Sequence, residues 1–272
     1  MNADDVRAAR SLLFVPGNRP ERFDKAVAAQ PDVVILDIED AVAGTDKDAA
    51  RAHVGQWLSA GHSAMVRINA ADTPWHEQDL ALVAAHRPAV MLAKAERVEQ
   101  ITPITELAPG AAVVPLIETA AGVAAATELC AVPGVARVAF GSIDLANELG
   151  VDPEDREALL LHRSTLVLAS VLAGVAPPID GVTTVFTETG PVTDDFTYAR
   201  RLGMSAKLCI HPAQVAAVHA AAAPSEADIA WATKVVAAAE TADGSAAAVD
   251  GRMIDLPVVD RARRILAVAQ RV

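Results

Sequence analysis

The sequence predicts an α/β chain folded as a (β/α)8 barrel, the TIM barrel, with a C-terminal helical extension. Three observations lead there. Short apolar runs alternate with helix-like stretches along the 272 residues. Counted in order they make eight strand–helix units of roughly 25 residues each, which suits a closed barrel better than an open sheet. No Gly-x-Gly-x-x-Gly follows any of the runs, so a dinucleotide-binding sheet has no support.

Ser11-Leu-Leu-Phe-Val-Pro-Gly17 reads as the first strand, closed by Pro-Gly. Residues 18–26 open a helix, with Pro20 near the first turn. The second strand, 32–40, is continuously apolar in its first half and acidic at its end. A helix from Lys47 to Ser59 follows and Gly61 ends it. Ser63 to Asn69 is the third strand and Trp75 to His86 its helix. Ala89 to Glu96 is the fourth, with Val98 to Leu107, interrupted by Pro103, behind it. Val113-Val-Pro-Leu-Ile-Glu-Thr119 is the fifth, an apolar run that stops in a carboxylate, and a small-residue helix continues to about Ala131. The sixth strand spans Val135 to Asp144. The next connection is long: a short helix at 145–149, a loop at 151–153 and a long helix from Arg156. Pro178 to Thr184 is the seventh strand, followed by a helix from Asp195 to Leu202. Ala206 to Pro212 is the eighth, with Gln214 to Ala222 as its helix. The domain reading is a barrel over 1–222 and a helical arm or lid over 223–272. In that tail the sequence suggests a helix from Ser225 to Ala242, a flexible linker over 243–251, and an amphipathic helix from Val258 to Gln270.

Composition narrows the function. Hydrophobic residues make up 52% and aromatics only 3%, so the core is built from small and branched side chains. A net charge of −12 argues against nucleic acid and anionic membrane, though a local basic patch can still hold a small anion. Cys130 and Cys209 show no metal-ligand or redox spacing. The first ten residues lack an apolar signal core. No apolar run approaches the roughly 20 residues a bilayer crossing needs. A reduced, cytoplasmic setting is the expectation.

The polar residues fall where the strands end: Asn18 and Arg19; Asp37, Glu39 and Asp40; Arg67 and Asn69; Lys94 and Glu96; Glu118; Asp144; Asp180; His211. The loops after barrel strands share one face, so these residues are expected to converge as an active site. Any one of them alone is as well explained by a structural ion pair. Glu118 and Asp144, ending adjacent strands, are suited to hold Mg²⁺, which takes oxygen ligands and one or two carboxylates. No His accompanies them, which disfavours zinc. Arg67 leaves an otherwise apolar strand, either to stabilise a developing oxyanion or to pair with Asp37 and Glu39. Those two acids share a strand face, with Asp40 on the other. Arg19, Arg22 and Lys25 form a basic patch that is either a solvated helix face or the handle for a phosphate-bearing cofactor.

Seven segments in order, Ser11–Pro20, Asp37–Val42, Val66–Asn69, Ile117–Thr119, Gly141–Leu145, Lys207–Pro212 and Gly251–Pro257, resemble the citrate lyase beta-subunit family within the HpcH/HpaI aldolases and malyl-CoA lyases. Each is weak alone; together, over nearly the whole chain, they are specific. The resemblance implies a Mg²⁺-dependent barrel that cleaves 3-hydroxyacyl-CoA thioesters to acetyl-CoA and a 2-oxo acid, assembled as a homotrimer or hexamer. By motif, Glu118 and Asp144 match the metal ligands. Arg67 matches a contact to the oxo acid and the reacting carbonyl. Phe14, Arg19 and Lys25 match positions near coenzyme A. Asp255 matches an acid that is inserted into the neighbouring subunit's site, which gives the C-terminal arm a role. With Asp37 and Glu39, Arg67 and Asp255 form the expected catalytic set. Backbone N–H groups near Gly141 and Ser142 are expected to hold the substrate carboxylate. Three alternatives stand beside this one: a metal-dependent aldolase on free 2-oxo acids, a beta subunit acting on an acyl-carrier partner, and a non-catalytic CoA-binding barrel.

Overall fold

The computed structural model describes residues 1–241 and 247–269 and forms two compact units, Met1–His219 and Ala220–Val272. In the first unit the elements run α1 (Ala3–Ala8), β1 (Ser11–Pro16), a 3-10 turn at Pro20–Arg22, α2 (Phe23–Ala28), β2 (Val33–Asp37), α3 (Lys47–Ser59), β3 (Met65–Ile68), α4 (His76–His86), β4 (Ala89–Leu92), α5 (Val98–Leu107), β5 (Val113–Ile117), α6 (Ala120–Ala124) and α7 (Ala126–Cys130). They continue with β6 (Ala139–Phe140), α8 (Ser142–Leu149), α9 (Leu160–Ala173), β7 (Ile179–Asp180), α10 (Gly190–Leu202), β8 (Ala206–Cys209) and α11 (Pro212–Ala222), which runs across the unit boundary. All eight strands are parallel and close in sequence order, β8 pairing back onto β1. The expected TIM barrel is what forms.

Alternate strand residues fill the inside. Leu12, Ile35, Met65, Met91, Val114, Leu116, Ile179 and Leu208 belong to one buried cluster drawn from the strand ring. Residues two places further along the same strands reach the C-terminal mouth. Ile35 therefore leads to Asp37, Met65 to Arg67 and Leu116 to Glu118, by the two-residue period of a strand. Val6 and Ala9, in and just after α1, join the same cluster from the N-terminal end. That helix was not anticipated. Asn2 and Asp5 form a reciprocal capping box at its start.

Several strands are shorter than the apolar runs suggested. β6 keeps only two residues, so Asp144 lies in the first turn of α8 rather than at a strand end. β7 also keeps two residues. The loops that follow begin at Gly141 and Gly181, where backbone must pass close to neighbours.

The second unit contains α12 (Glu226–Thr241), β9 (Ala247–Val249), β10 (Arg252–Ile254) and α13 (Leu256–Ala269). Ala232 and Val235 of α12 meet Ile254, Val259 and Ala262. The expected flexible linker over 243–251 includes an antiparallel ladder in which Val249 pairs with Arg252, while 242–246 lie outside the described residues. Short, Ala-rich strands give too little periodicity to announce such a hairpin.

Candidate active site

The mouth of the barrel is organised by Arg67. Asp37 and Arg67 are direct partners in the β2–β3 register. The guanidinium therefore meets the carboxylate edge-on: Nε donates to Oδ1 at 2.8 Å and Nη2 to Oδ2 at 2.6 Å. Nη1 pairs with Glu39 Oε2 at 3.0 Å. The Phe14 ring lies 4.7 Å from the guanidinium carbon. Asp37 also accepts the N–H groups of Glu39 and Ala41, so it is held from every side. Burial works against the Arg67 charge, but Asp37 and Glu39 outweigh it and the pKa is raised. Asp37 and Glu39 thus reach the mouth as expected, but as the two anions that fix Arg67. Asp40 is exposed; β2 ends at Asp37, so the strand period does not reach Glu39 and Asp40, and the Asp40 carboxylate lies 3.8 Å from the Lys94 ammonium.

Glu39 is shared. Its Oε1 accepts from Lys94 Nζ at 2.9 Å. Lys94 in turn donates its backbone N–H to Glu118 Oε1 at 2.8 Å. Arg67, Glu39, Lys94 and Glu118 form one continuous chain of contacts across β2 to β5. Its ammonium is half-buried; desolvation disfavours the charge, but Glu39 and Glu118 overcome this and raise the pKa.

Glu118 is 2% exposed. Its carboxyl is pushed up to about 8, chiefly by desolvation; Glu39 and Asp144 push the same way, against Arg67 and Lys94. Among the described residues no hydrogen bond reaches its Oε2. Gly141 explains how Asp144 comes near. A side chain at 141 would overlap Glu118, its Cβ lying 2.6 Å from Oε2, so only glycine lets the β6–α8 turn pass. Two carboxylates, one buried and poorly compensated, are a donor set that a divalent cation completes. No group of three or more His, Cys, Asp or Glu suited to a metal gathers among the described residues. Two carboxylates with open positions are what Mg²⁺ uses; zinc would want nitrogen or sulfur. The residues present fit magnesium, and Glu118 and Asp144 are the two that would hold it.

The expectation for Gly141 needs correcting. Its N–H is spent on the Ile117 carbonyl at 2.9 Å. The first N–H of α8 to bond backwards is that of Leu145, to Gly141 O. The N–H groups of Ser142, Ile143 and Asp144 are therefore the ones left open at the helix N-terminus. Beside that turn lies a cavity of about 490 Å³ lined by Ser142, Ile143, Arg163, Val182, Thr183 and Val185, among others.

Other strand-end residues do not converge. Asp180 follows the inward-facing Ile179 and so points outward, where Arg163 and Lys207 each bind it at 2.8 Å. It is a buried structural ion cluster between barrel and helices. Asn69 ties Lys47 and Asp79 behind β3. Asn18 reaches Asp46. Glu96 lies near Arg97. His211 is exposed and stacks on Phe186. Arg19, Arg22 and Lys25 are exposed, and their side chains make no ion pair among the described residues, whereas Phe14 packs inward. In the second unit Asp255 caps α13: its Oδ1 accepts the Val258 N–H at 3.3 Å. Sequence reasoning noted Lys94 but gave it no role; a lysine two residues past an apolar strand was the only signal.

Residues 10–212 match the HpcH/HpaI aldolase/citrate lyase family. The citrate lyase subunit beta-like protein of Mycobacterium tuberculosis is 38% identical over 270 residues, 96% of this chain and 96% of that protein. The (3S)-malyl-CoA thioesterase of Cereibacter sphaeroides is 33% identical over 279 residues, 99% of this chain and 98% of that protein. Among solved structures, the CitE protein of M. tuberculosis in complex with magnesium, acetoacetate and coenzyme A superposes with a TM-score of 0.85 at 36% identity, covering 97% of this chain and 99% of that one. No helix among the described residues is long and apolar enough to cross a membrane.

Proposed function

Since the chain belongs to the HpcH/HpaI aldolase/citrate lyase family, we propose that it is a Mg²⁺-dependent carbon–carbon lyase acting on a 3-hydroxyacyl-CoA. Citramalyl-CoA, malyl-CoA and citryl-CoA are the candidate substrates. Acetyl-CoA and pyruvate, glyoxylate or oxaloacetate are the other side of the reaction. The observation that carries this reading is the Glu118–Asp144 pair set across from a fixed, charged Arg67.

The residues divide the work. Glu118 and Asp144 hold Mg²⁺. When bound there, the metal acts as a Lewis acid that lowers the pKa of the substrate hydroxyl and orients the acid. The N–H groups of the first turn of α8 receive the substrate carboxylate. The substrate hydroxyl gives up its proton to solvent and its oxygen becomes the keto oxygen of the 2-oxo acid; as the carbon–carbon bond breaks, its electron pair moves onto the thioester and forms an enolate. Arg67 offsets that charge without having to reorganise, because Asp37 and Glu39 already fix it. Arg19, Lys25 and the ring of Phe14 are the CoA-side contacts. Asp255 of a partner subunit then returns a proton to the enolate carbon. That role places residues 223–272 as an arm packed on a neighbour in a homotrimer or hexamer.

The test is cleavage of the three thioesters with Mg²⁺, with and without EDTA, with products identified. Glu118→Ala and Asp144→Ala are expected to abolish turnover and leave the fold intact; full activity in either variant rejects the metal pair. Product analysis also weighs the second reading, which the thioesterase relative favours. Thioester hydrolysis would release free CoA and the intact hydroxy acid in place of acetyl-CoA. For the arm, mixing Asp255→Ala with Arg67→Ala subunits is expected to restore part of the activity, and no complementation argues against shared sites.

A further inference from the structure

Lys94 sits in the left-handed backbone region, with φ +48°. L-residues rarely accept that conformation, because Cβ crowds the following carbonyl. The other three left-handed non-glycine residues described, Gln30, Arg87 and Asp250, have ordinary settings. Arg87 caps α4, Gln30 follows the end of α2, and Asp250 turns the β9–β10 hairpin. Lys94 ends no helix and turns no hairpin. It lies between β4 and α5, on the face where the site is built. Glycine would take this backbone without strain, so the lysine is there for its side chain. Strain of this kind persists where the surroundings over-determine it.

The surroundings are explicit. The left-handed turn aims the Lys94 N–H at Glu118 Oε1, 2.8 Å away. The ammonium lies 2.9 Å from Glu39 Oε1 and 3.8 Å from Asp40. Glu39 divides its two oxygens between Arg67 and Lys94. Glu39 is therefore shared by both cations, while Asp37 pairs with Arg67 alone and the exposed Asp40 lies beside the Lys94 ammonium. Without the ammonium, Arg67 alone would face both carboxylates and be over-neutralised.

We propose that Lys94 is a positioning residue that sets both halves of the site at once. Its N–H anchors one oxygen of Glu118 and leaves the other for the cation. Its ammonium draws on Glu39, so that Arg67 keeps positive charge for an anionic ligand. That the anion is a 2-oxo acid rests on the reading above, and the proposal stands or falls with that anion; it does not need the cleavage reaction.

Calorimetric titration separates the two. Wild type, Lys94→Met, Lys94→Gly and Lys94→Arg are titrated first with Mg²⁺, then with pyruvate. The backbone anchor survives all three substitutions, so the Mg²⁺ Kd stays within about twofold of wild type. Pyruvate binding to the Mg²⁺-loaded protein weakens by about fivefold or more in Lys94→Met and Lys94→Gly and is partly restored in Lys94→Arg. Lys94→Gly melts above Lys94→Ala, because glycine relieves the backbone. An unchanged pyruvate Kd in Lys94→Met overturns the proposal. So does a parallel loss of Mg²⁺ affinity, which would place the ammonium's effect on the metal pair, and so does a wild type that binds no pyruvate. If wild type binds Mg²⁺ and pyruvate but cleaves no thioester, the proposed reaction fails and the role of Lys94 stands.

Discussion

Arg67 and Arg137 mark the two ends of this barrel, and their partners differ in kind. Arg67, at the C-terminal mouth, is held by the carboxylates of Asp37 and Glu39. Arg137, at the N-terminal floor, is fully buried and meets no carboxylate among the described residues. It donates to the carbonyls of Val6, Ala9 and Pro177 and to the Ser205 hydroxyl. Carboxylates raise the pKa of Arg67, whereas burial lowers that of Arg137 to about 9, so both are charged at neutral pH. A charge held by opposite charges in a mouth open to ligands is poised to meet a third. A charge held by backbone dipoles in a closed floor is a fastener for chain segments. The difference follows the division of a barrel into a reactive end and a stabilising end.

The sharpest break of that contrast is Arg67→Lys. The charge remains, but the two-pronged contact to Asp37 cannot form. We expect kcat/KM to fall about 10²–10³-fold while the thermal midpoint moves little. A midpoint that collapses with activity would make Arg67 a fastener like Arg137. The converse substitution, Arg137→Met, leaves buried carbonyls without donors. It should lower unfolding stability by about 3 kcal/mol and leave kcat of the folded protein within about twofold. Denaturant unfolding beside active-site titration checks this, and a selective loss of kcat would erase the distinction. The gentlest probe is pH. Glu118 binds a proton up to about pH 8 in the metal-free protein, and Mg²⁺ needs the carboxylate. Apparent Mg²⁺ affinity should rise about tenfold per unit up to that pH and then level off. Because its folded pKa is raised, Glu118 contributes stability that is full below its ordinary value and lost as pH rises through about 8. Metal-free protein should therefore soften over that interval, and Mg²⁺ should offset it. Arg137, its pKa lowered to about 9, begins to lose its proton only at the top of that range, so below about pH 8 the floor adds no slope. A flat Mg²⁺ affinity from about pH 6 to 9 would reject the assignment.

The barrel was legible because each apolar run ends in a polar residue and gives way to helical spacing. Glu118 was visible for the same reason: it lies two residues beyond Leu116, on the inward face. Asp180 shows the limit. It too ends a strand, but its neighbour Ile179 takes the inward position, and the parity of a two-residue strand cannot be read from composition. The conformation of Lys94 was invisible because an L-residue carries no mark of a left-handed backbone imposed by its neighbours. Arg137 carried no signal in the sequence, since its partners are groups far away along the chain and belong to no motif.

Those distances bear on how the molecule comes into being. Arg137 reaches across 131 residues to Val6, 40 to Pro177 and 68 to Ser205. Contacts so remote carry a large loop-closure cost and form slowly. A chain growing from its amino end cannot complete the floor until residue 205 has been made. Until then α1 lacks the Ser205-bound guanidinium that ties it to the barrel, and the ring cannot close β8 onto β1. The helix that precedes β1 is thus among the last elements of the barrel to find its place.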